Sequence, residues 1–385
     1  MFAVSHSYLH HGSARILVHR QANFIRYYAQ QQKSREPARP DIATTKAIDT
    51  EYSCKAALEI IQSNGTSDRV NAARSTLPPP LVLPERSASQ STFIYWFNIG
   101  RAYGTFYKEG VKAVWFNYKA AKLLRERFSA KLRSKNDNDA ALAGIITRAE
   151  WQLLSRSNHD IGKLPLFGLL ALVFGEWLPL FVPFMPSVVP RTARIPSQVK
   201  QMREQGEERR RVSFRQGITE PASEQMPDDR VVVEGRPVAA RSEWQMADAG
   251  YVQAVLTGLR QDQLMHLSTT LGLHSKLWDR IQLPPPGFIL RRRLERQLTY
   301  ITLDDKLLIE HEGAAKLSEV ELEIACEERG LDVLEKKHAV LKDNLAWWLS
   351  RQEDVKGQGQ VLLSMLFRRL AIRDWVKLHM KETRD

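Results

Sequence analysis

Glu176 is the one ionisable residue in an apolar run of 26, Leu164–Val189, which also holds Pro165, Pro179, Pro183 and Pro186. A charge at the centre of a bilayer costs about 2.5–3.5 kcal/mol or more unless it is protonated, paired or next to water. Its chemistry is therefore of one of two kinds. It is either a proton-linked group in an ion pathway, or a neutral acid that bonds to a carbonyl freed by proline or pairs between protomers of a homo-oligomer. Both readings stand. Pro179, Pro186 and Pro190 remove backbone donors at the same place, so one straight helix is not expected there. A second set of residues is cationic. Arg291, Arg292, Arg293 and Arg296 crowd one stretch, and Arg368, Arg369 and Arg373 make a second basic face. Both suit a polyanion, whose phosphates attract such faces and release counterions on binding. Arg191, Arg194, Arg209, Arg210 and Arg211 follow the apolar run and are placed for anionic lipid headgroups.

Other chemistry has little support. No GxxxxGK[ST] or GxGxxG run is present to cradle phosphate, and no HExxH spacing to hold a metal. The two cysteines, Cys54 and Cys326, are far apart and form no CxxC, so neither a disulfide framework nor a zinc site is encoded. His266 and His274 straddle Gly272 and read as ordinary helix residues, and His159 with Asp160 has no nucleophile at motif spacing. The expectation is a protein without catalytic residues, cofactor or metal, and not an enzyme.

The net charge is +12 over 385 residues, with a pI near 9.6, which points to nucleic acid or anionic lipid as counterpart. The excess is uneven. Residues 1–235 carry 33 Lys and Arg against 22 Asp and Glu, whereas residues 236–385 carry 23 against 22. Only patches of the C-terminal part can bind a polyanion.

The elements that must position these residues follow from patterning. Residues 1–28 hold Arg15, Arg20 and Arg26 and no acid, the composition of a mitochondrial transit peptide, and Arg26-Tyr27-Tyr28-Ala29 suits a cut before Ala29. Residues 29–90 are rich in Pro, Ser and charge and read as a disordered linker with one short helix near Lys55–Gln62. Residues 91–160 form an aromatic-basic amphipathic helical segment, in which Trp96, Tyr107, Trp115 and Tyr118 interleave with Arg101, Lys108, Lys112 and Lys119. Such rings favour the headgroup level. Thr147-Arg148-Ala149-Glu150 is a capping box with Ile146 and Trp151 as its staple. Residues 161–190 are the membrane segment, long enough for a ~30 Å hydrocarbon core. Residues 191–240 are a basic juxtamembrane helix and linker, whose charge favours the matrix side.

Residues 241–385 read as a set of short amphipathic helices without strand alternation, so the fold class is all-α. Gly272 and Gly330 suit left-handed helix ends. Thr302-Leu303-Asp304-Asp305 reads as an N-terminal cap and Ser318-Glu319-Val320-Glu321 as a capping box. Helices are expected near Phe288–Tyr300, Lys336–Ser350 and Gln360–Lys381.

Tyr107–Arg125, the Glu176-Trp177-Leu178-Pro179 run with Pro186-Ser187-Val188-Val189-Pro190, and the helices between Leu264 and Leu349 together resemble the LETM family of mitochondrial inner-membrane proteins. The resemblance implies a single-pass inner-membrane protein whose matrix domain is 14-3-3-like and binds the mitochondrial ribosome, tethering translation or insertion to the membrane. No DNA partner is implied. Potassium/proton exchange and organelle volume are the alternative activity. No EF-hand loop or sustained heptad is present, so calcium binding is not carried over, and Leu180–Met185 has no Lys, which weakens the transport reading.

Overall fold

A computed structural model describes residues 53–62, 69–86, 91–134, 146–175, 182, 185, 188–218, 221, 249–281, 283–311, 313–353 and 365–367. The expected transit peptide, Glu176, Pro179, Pro186, Arg368, Arg369, Arg373 and the last expected helix beyond residue 367 lie outside these. Among the described residues every regular element is helical.

The longest elements form an antiparallel pair. Helix α1 spans Ala56–Gln62, α2 Thr92–Ser134 and α3 Arg148–Phe174. Tyr107 of α2 meets Phe167 of α3, and Arg125 bonds to Asn158. Toward the other end Leu124 and Phe128 share a core with Ile146, Leu153 and Leu154, closed by Ala57 and Ile61 of α1. The capping box that opens α3 is complete. Thr147 Oγ1 accepts from Glu150 N, and Glu150 Oε2 accepts from Thr147 N. Gly110 lets α2 approach the 3-10 turn Arg191–Ala193, because a Cβ there would lie 2.7 Å from Thr192 O.

The Pro-rich stretch before α2 corrects the expectation of a free linker. Residues 69–86 form a strap along α2, with Ser75 and Thr76 buried. Ser75 Oγ donates to Asn117 Oδ1 at 2.8 Å, and Asn117 Nδ2 returns a bond to Ser75 O. Further along, Leu81 packs with Phe106, Tyr107 and Phe167, and Arg86 reaches Thr92 at the start of α2.

Of the apolar run, the first part is helical. Helix α3 enters it at Leu164 and stops at Phe174, with Gly175 (φ 50°) as its cap. Among the described residues no helix is long and apolar enough to cross a membrane. Just beyond the run the Arg191 N–H donates to Asp160 Oδ1 at 2.8 Å, and within it Val182 and Val189 are buried with Phe106, Tyr107 and Phe167. The two flanks of the run therefore meet.

The C-terminal part is a bundle of α4 (Pro196–Arg215), α5 (Ala249–Gly258), α6 (Gln261–Thr270), α7 (Lys276–Arg280), α8 (Gly287–Glu310), α9 (Gly313–Lys316), α10 (Glu319–Glu328) and α11 (His338–Glu353). Helix α8 is its axis. Leu290, Leu294, Leu298, Ile301 and Leu308 fall on one stripe at helical spacing and are buried among α5, α6, α10 and α11. Each such side chain contributes about 1.5–3 kcal/mol of burial free energy. Leu303 and Leu307 turn to the α2–α3 core instead.

Two capping expectations change. Helix α8 runs unbroken through Thr302-Leu303-Asp304-Asp305, so these residues cap nothing; Thr302 Oγ1 donates to Leu298 O inside the helix, and both aspartates are buried. At Ser318 only half of the box forms. Ser318 Oγ accepts from Glu321 N, but the Ser318 N–H is taken by Asn71 Oδ1 of the strap at 2.8 Å, and the Glu321 carboxylate turns to Arg156. Gly272 (φ 64°) and Gly330 (φ 76°) adopt the left-handed conformation that glycine tolerates without steric cost.

Candidate functional site

Arg148, Gln152, Arg156 and Asp160 recur every fourth residue of α3 and are all buried. Four polar side chains on one inward face need partners, since an unpaired buried charge costs several kcal/mol. Arg148, Gln152 and Arg156 find theirs on α8 and α10, and Asp160 accepts from the Arg191 N–H. Arg148 donates from Nε to Asp304 Oδ1 at 2.9 Å and from Nη1 to Val70 O of the strap at 2.9 Å. Arg156 grips Glu321 with two parallel bonds of 2.6 and 2.7 Å, the bidentate geometry that suits a planar guanidinium. Gln152 Nε2 donates to Asp304 Oδ1 at 2.7 Å. Arg329, just beyond α10, closes the cluster, donating to Asp304 Oδ2 at 2.8 Å and from Nε to Asp305 Oδ1 at 2.8 Å. Trp348 Nε1 adds a bond to Asp305 Oδ2 at 3.0 Å.

Three guanidinium groups thus face three carboxylates. Burial pushes the Asp304 carboxyl up, but Arg148 and Arg329 outweigh it and hold it below the ordinary carboxylate range. Glu321 follows the same pattern with Arg156. Asp305, with a single guanidinium, is left raised by burial. The Tyr300 phenol, buried beside Glu328, is pushed well up; its hydroxyl donates to Glu328 Oε2 at 2.6 Å, and Arg191 pairs with Glu328 at 3.2 Å. Arg203 of α4 adds pairs to Glu323 and Glu327 at 2.7 and 2.9 Å. With its acids saturated by cations, this cluster orients helices. It fastens the helix that leads into the apolar run to the C-terminal bundle.

The arginines expected to be basic faces divide. Arg292, Arg293 and Arg296 are exposed on the outer side of α8, with Arg280 exposed on α7. Among the described residues none of the four pairs with a carboxylate. Arg293 Nη1 donates to Leu273 O at 2.7 Å, which fixes its stem and leaves the rest of the fork outward. Arg291 is half-buried and donates to Leu256 O and Leu259 O at the end of α5, where helix carbonyls lack partners. It braces α5, and the open cation set is the other three with Arg280. Leu277, Ile281, Leu283 and Phe288, all exposed, edge the same corner.

The expected headgroup set is largely turned inward. Arg210 is buried and donates to Thr270 O at 2.9 Å. Arg209 pairs with Asp279 at 2.7 Å and contacts His274. Both hold α4 to α6 and α7, because a long side chain on a packed helix face meets the neighbouring helix before it meets solvent. Arg211 stays half-exposed but pairs with Glu207. Arg191 serves the buried cluster, Arg194 is partly buried, and Pro190 is buried. His266 and His274 are core residues, bonded to Ser213 and Ser268 at 2.8 Å. Among the described residues no group of three His, Cys, Asp or Glu is placed to hold a metal ion.

The buried cluster is not legible in the sequence because the partners that α3 finds on α8 and α10 lie more than 150 positions away. The fourfold repeat of polar residues after Thr147 was its one local sign. Residues 146–367, more than half of the chain, match the family described as LETM1-like, RBD. No curated protein and no solved structure matches. The matched range opens at Ile146, the staple residue before α3.

Proposed function

The chain belongs to the LETM1-like RBD family, and on that premise we propose that it binds the mitochondrial ribosome and holds it at the inner membrane, with the bundle in the matrix. The observation that carries this reading is the set of exposed arginines, Arg280, Arg292, Arg293 and Arg296, presented without a carboxylate partner among the described residues. Such a face attracts rRNA phosphate, and the attraction weakens as salt rises. The apolar rim of Leu277, Ile281 and Phe288 supports a contact that also includes ribosomal protein.

The membrane half of the proposal rests on the apolar end of the α2–α3 pair. The buried cluster supplies the mechanical link. A load on α8 is passed through Asp304 to Arg148 and through Glu321 to Arg156, and so to the helix that enters the apolar run. Tethering of this kind needs rigidity and no chemistry. The reading with potassium/proton exchange depends on Glu176, outside the described residues, and no specific observation adds to it.

Sedimentation of the detergent-solubilised chain with mitochondrial ribosomes over a salt series tests the proposal. Co-migration at low salt that falls away as salt rises is expected. No co-migration at any salt overturns it.

A further inference from the structure

We propose that the chain enters and leaves the bilayer on the same side, so that the segment before α2 and the C-terminal bundle share one compartment. This rests on the membrane reading above and deepens it. A single crossing between Lys163 and Arg191 requires everything before it to lie across the membrane from everything after it. The contacts forbid that. Val70 accepts from Arg148, which pairs with Asp304. Asn71 bonds to Ser318 N and Lys316 O. Thr76 accepts from Arg156, which pairs with Glu321. Asp160 accepts from Arg191 across the run itself. Residues on both sides of the apolar run are thus knit into one buried polar network, which no hydrocarbon layer can divide.

The surface left for the bilayer is the far end of the α2–α3 pair. Phe93, Trp96 and Phe97 at the start of α2 and Leu169, Leu172 and Val173 at the end of α3 are all more than half exposed. Because the two helices are antiparallel, these two stretches lie at the same end. At 1.5 Å per residue, Leu164–Phe174 reaches about 15 Å, the depth of one leaflet of a ~30 Å core. Lysines and aromatic rings mark its upper edge. Lys119 lies 5.3 Å from the centre of the Trp115 ring, and Lys55 5.5 Å from that of Phe116. Cations backed by half-exposed aromatic rings suit an anionic headgroup layer. The occupant of this end is therefore a bilayer with anionic lipid, entered as a wedge from the bundle's side.

The test uses the full-length chain with Cys54→Ser, leaving Cys326, which is fully buried, and adding Glu59→Cys before α2 and Glu319→Cys at the start of α10, both at exposed positions. The protein is reconstituted into sealed vesicles of phosphatidylcholine with cardiolipin, floated, washed with carbonate, and treated with a membrane-impermeant maleimide before intact-mass measurement. Same-side entry gives molecules carrying two labels or none, whatever the mixture of orientations. A population dominated by single labels overturns same-side entry while leaving the membrane anchor intact. Failure to float after carbonate overturns the anchor and this inference together. If the double variant folds poorly, each cysteine alone is compared with the other in vesicles of one preparation: equal accessible fractions support the inference, and complementary fractions summing to one, in a preparation of unequal orientation, refute it.

Discussion

Arg148 and Asp304, 156 positions apart, meet at 2.9 Å with neither side chain exposed to solvent. The pair joins the first turn of α3 to the last third of α8, and its consequences reach the rest of the molecule. Asp304 also serves Arg329 and Gln152, so its loss takes a carboxylate partner from two guanidinium groups at once.

Asp304→Asn keeps the shape and removes the charge. Breaking one partner of a buried pair typically costs about 3–5 kcal/mol, a large part of a domain's total stability. Thermal unfolding of the detergent-solubilised chain should shift sharply downward, with proteolysis separating α3 from the bundle. A loss under about 1 kcal/mol would show that the cluster does not hold these helices together.

Acidification should weaken the fold in two stages. Burial lowers the His266 and His274 imidazoles below their ordinary value, and Arg209 lowers His274 further. An unfolded chain takes up these protons near pH 6.5 while the folded chain refuses them, so stability falls as pH drops below about 6.5. Asp304 and Glu321, held low by their arginines, add a second loss below about pH 4. Melting temperatures at pH 7.5 and 5.5 check the first stage. His266→Gln with His274→Gln should flatten the difference, and an unchanged slope in that variant counts against the assignment.

Arg292→Glu, Arg293→Glu and Arg296→Glu together should abolish ribosome co-sedimentation at moderate salt. If these side chains meet phosphate, neutralising them instead, with Gln, should reduce the slope of log affinity against log salt by about 2–3. Arg291→Gln alone should act on stability through α5 instead, since its fork is bound to helix carbonyls. Full binding by the triple Glu variant would place the ribosome elsewhere on the chain.

Leu172→Arg places a charge on a residue 82% exposed at the apolar end of α3. In water that change is nearly neutral, whereas in hydrocarbon it costs about 2.5–3.5 kcal/mol or more. Retention on carbonate-washed vesicles should fall roughly a hundredfold at unchanged melting temperature. Equal retention would remove this surface from the bilayer.

Gly110→Ala should separate α2 from the turn that follows the apolar run. The added methyl meets backbone, Thr192 O at 2.7 Å, which cannot swing aside as a side chain can. Overpacking of this type costs about 1–3 kcal/mol. Limited proteolysis near Arg191 should accelerate, and a variant as resistant as the parent would mean the contact is loose.

What the sequence determined by itself was whatever is decided within a few residues. The Thr147–Glu150 box, the glycine ends at Gly272 and Gly330, the short helix before the strap, the all-helical class and the apolar run with its family resemblance all rest on neighbours in the chain, where residue type alone fixes the geometry. Tertiary structure decided the rest. Asp304 and Asp305 have the local look of a cap, yet the burial of α8 and the arrival of Arg148 and Arg329 carry the helix past them. Ser318 and Glu321 have the spacing of a full box, yet Asn71 and Arg156 offer stronger partners. The proline-rich stretch has the composition of a linker, yet its buried hydroxyls bind α2 and α3. Above all, an apolar run has the same composition whether its ends part or meet, and only tertiary contacts such as the bond from Arg191 to Asp160 show that they meet. A charge or a turn residue can be read locally; which of its possible partners it takes depends on which helices pack against it.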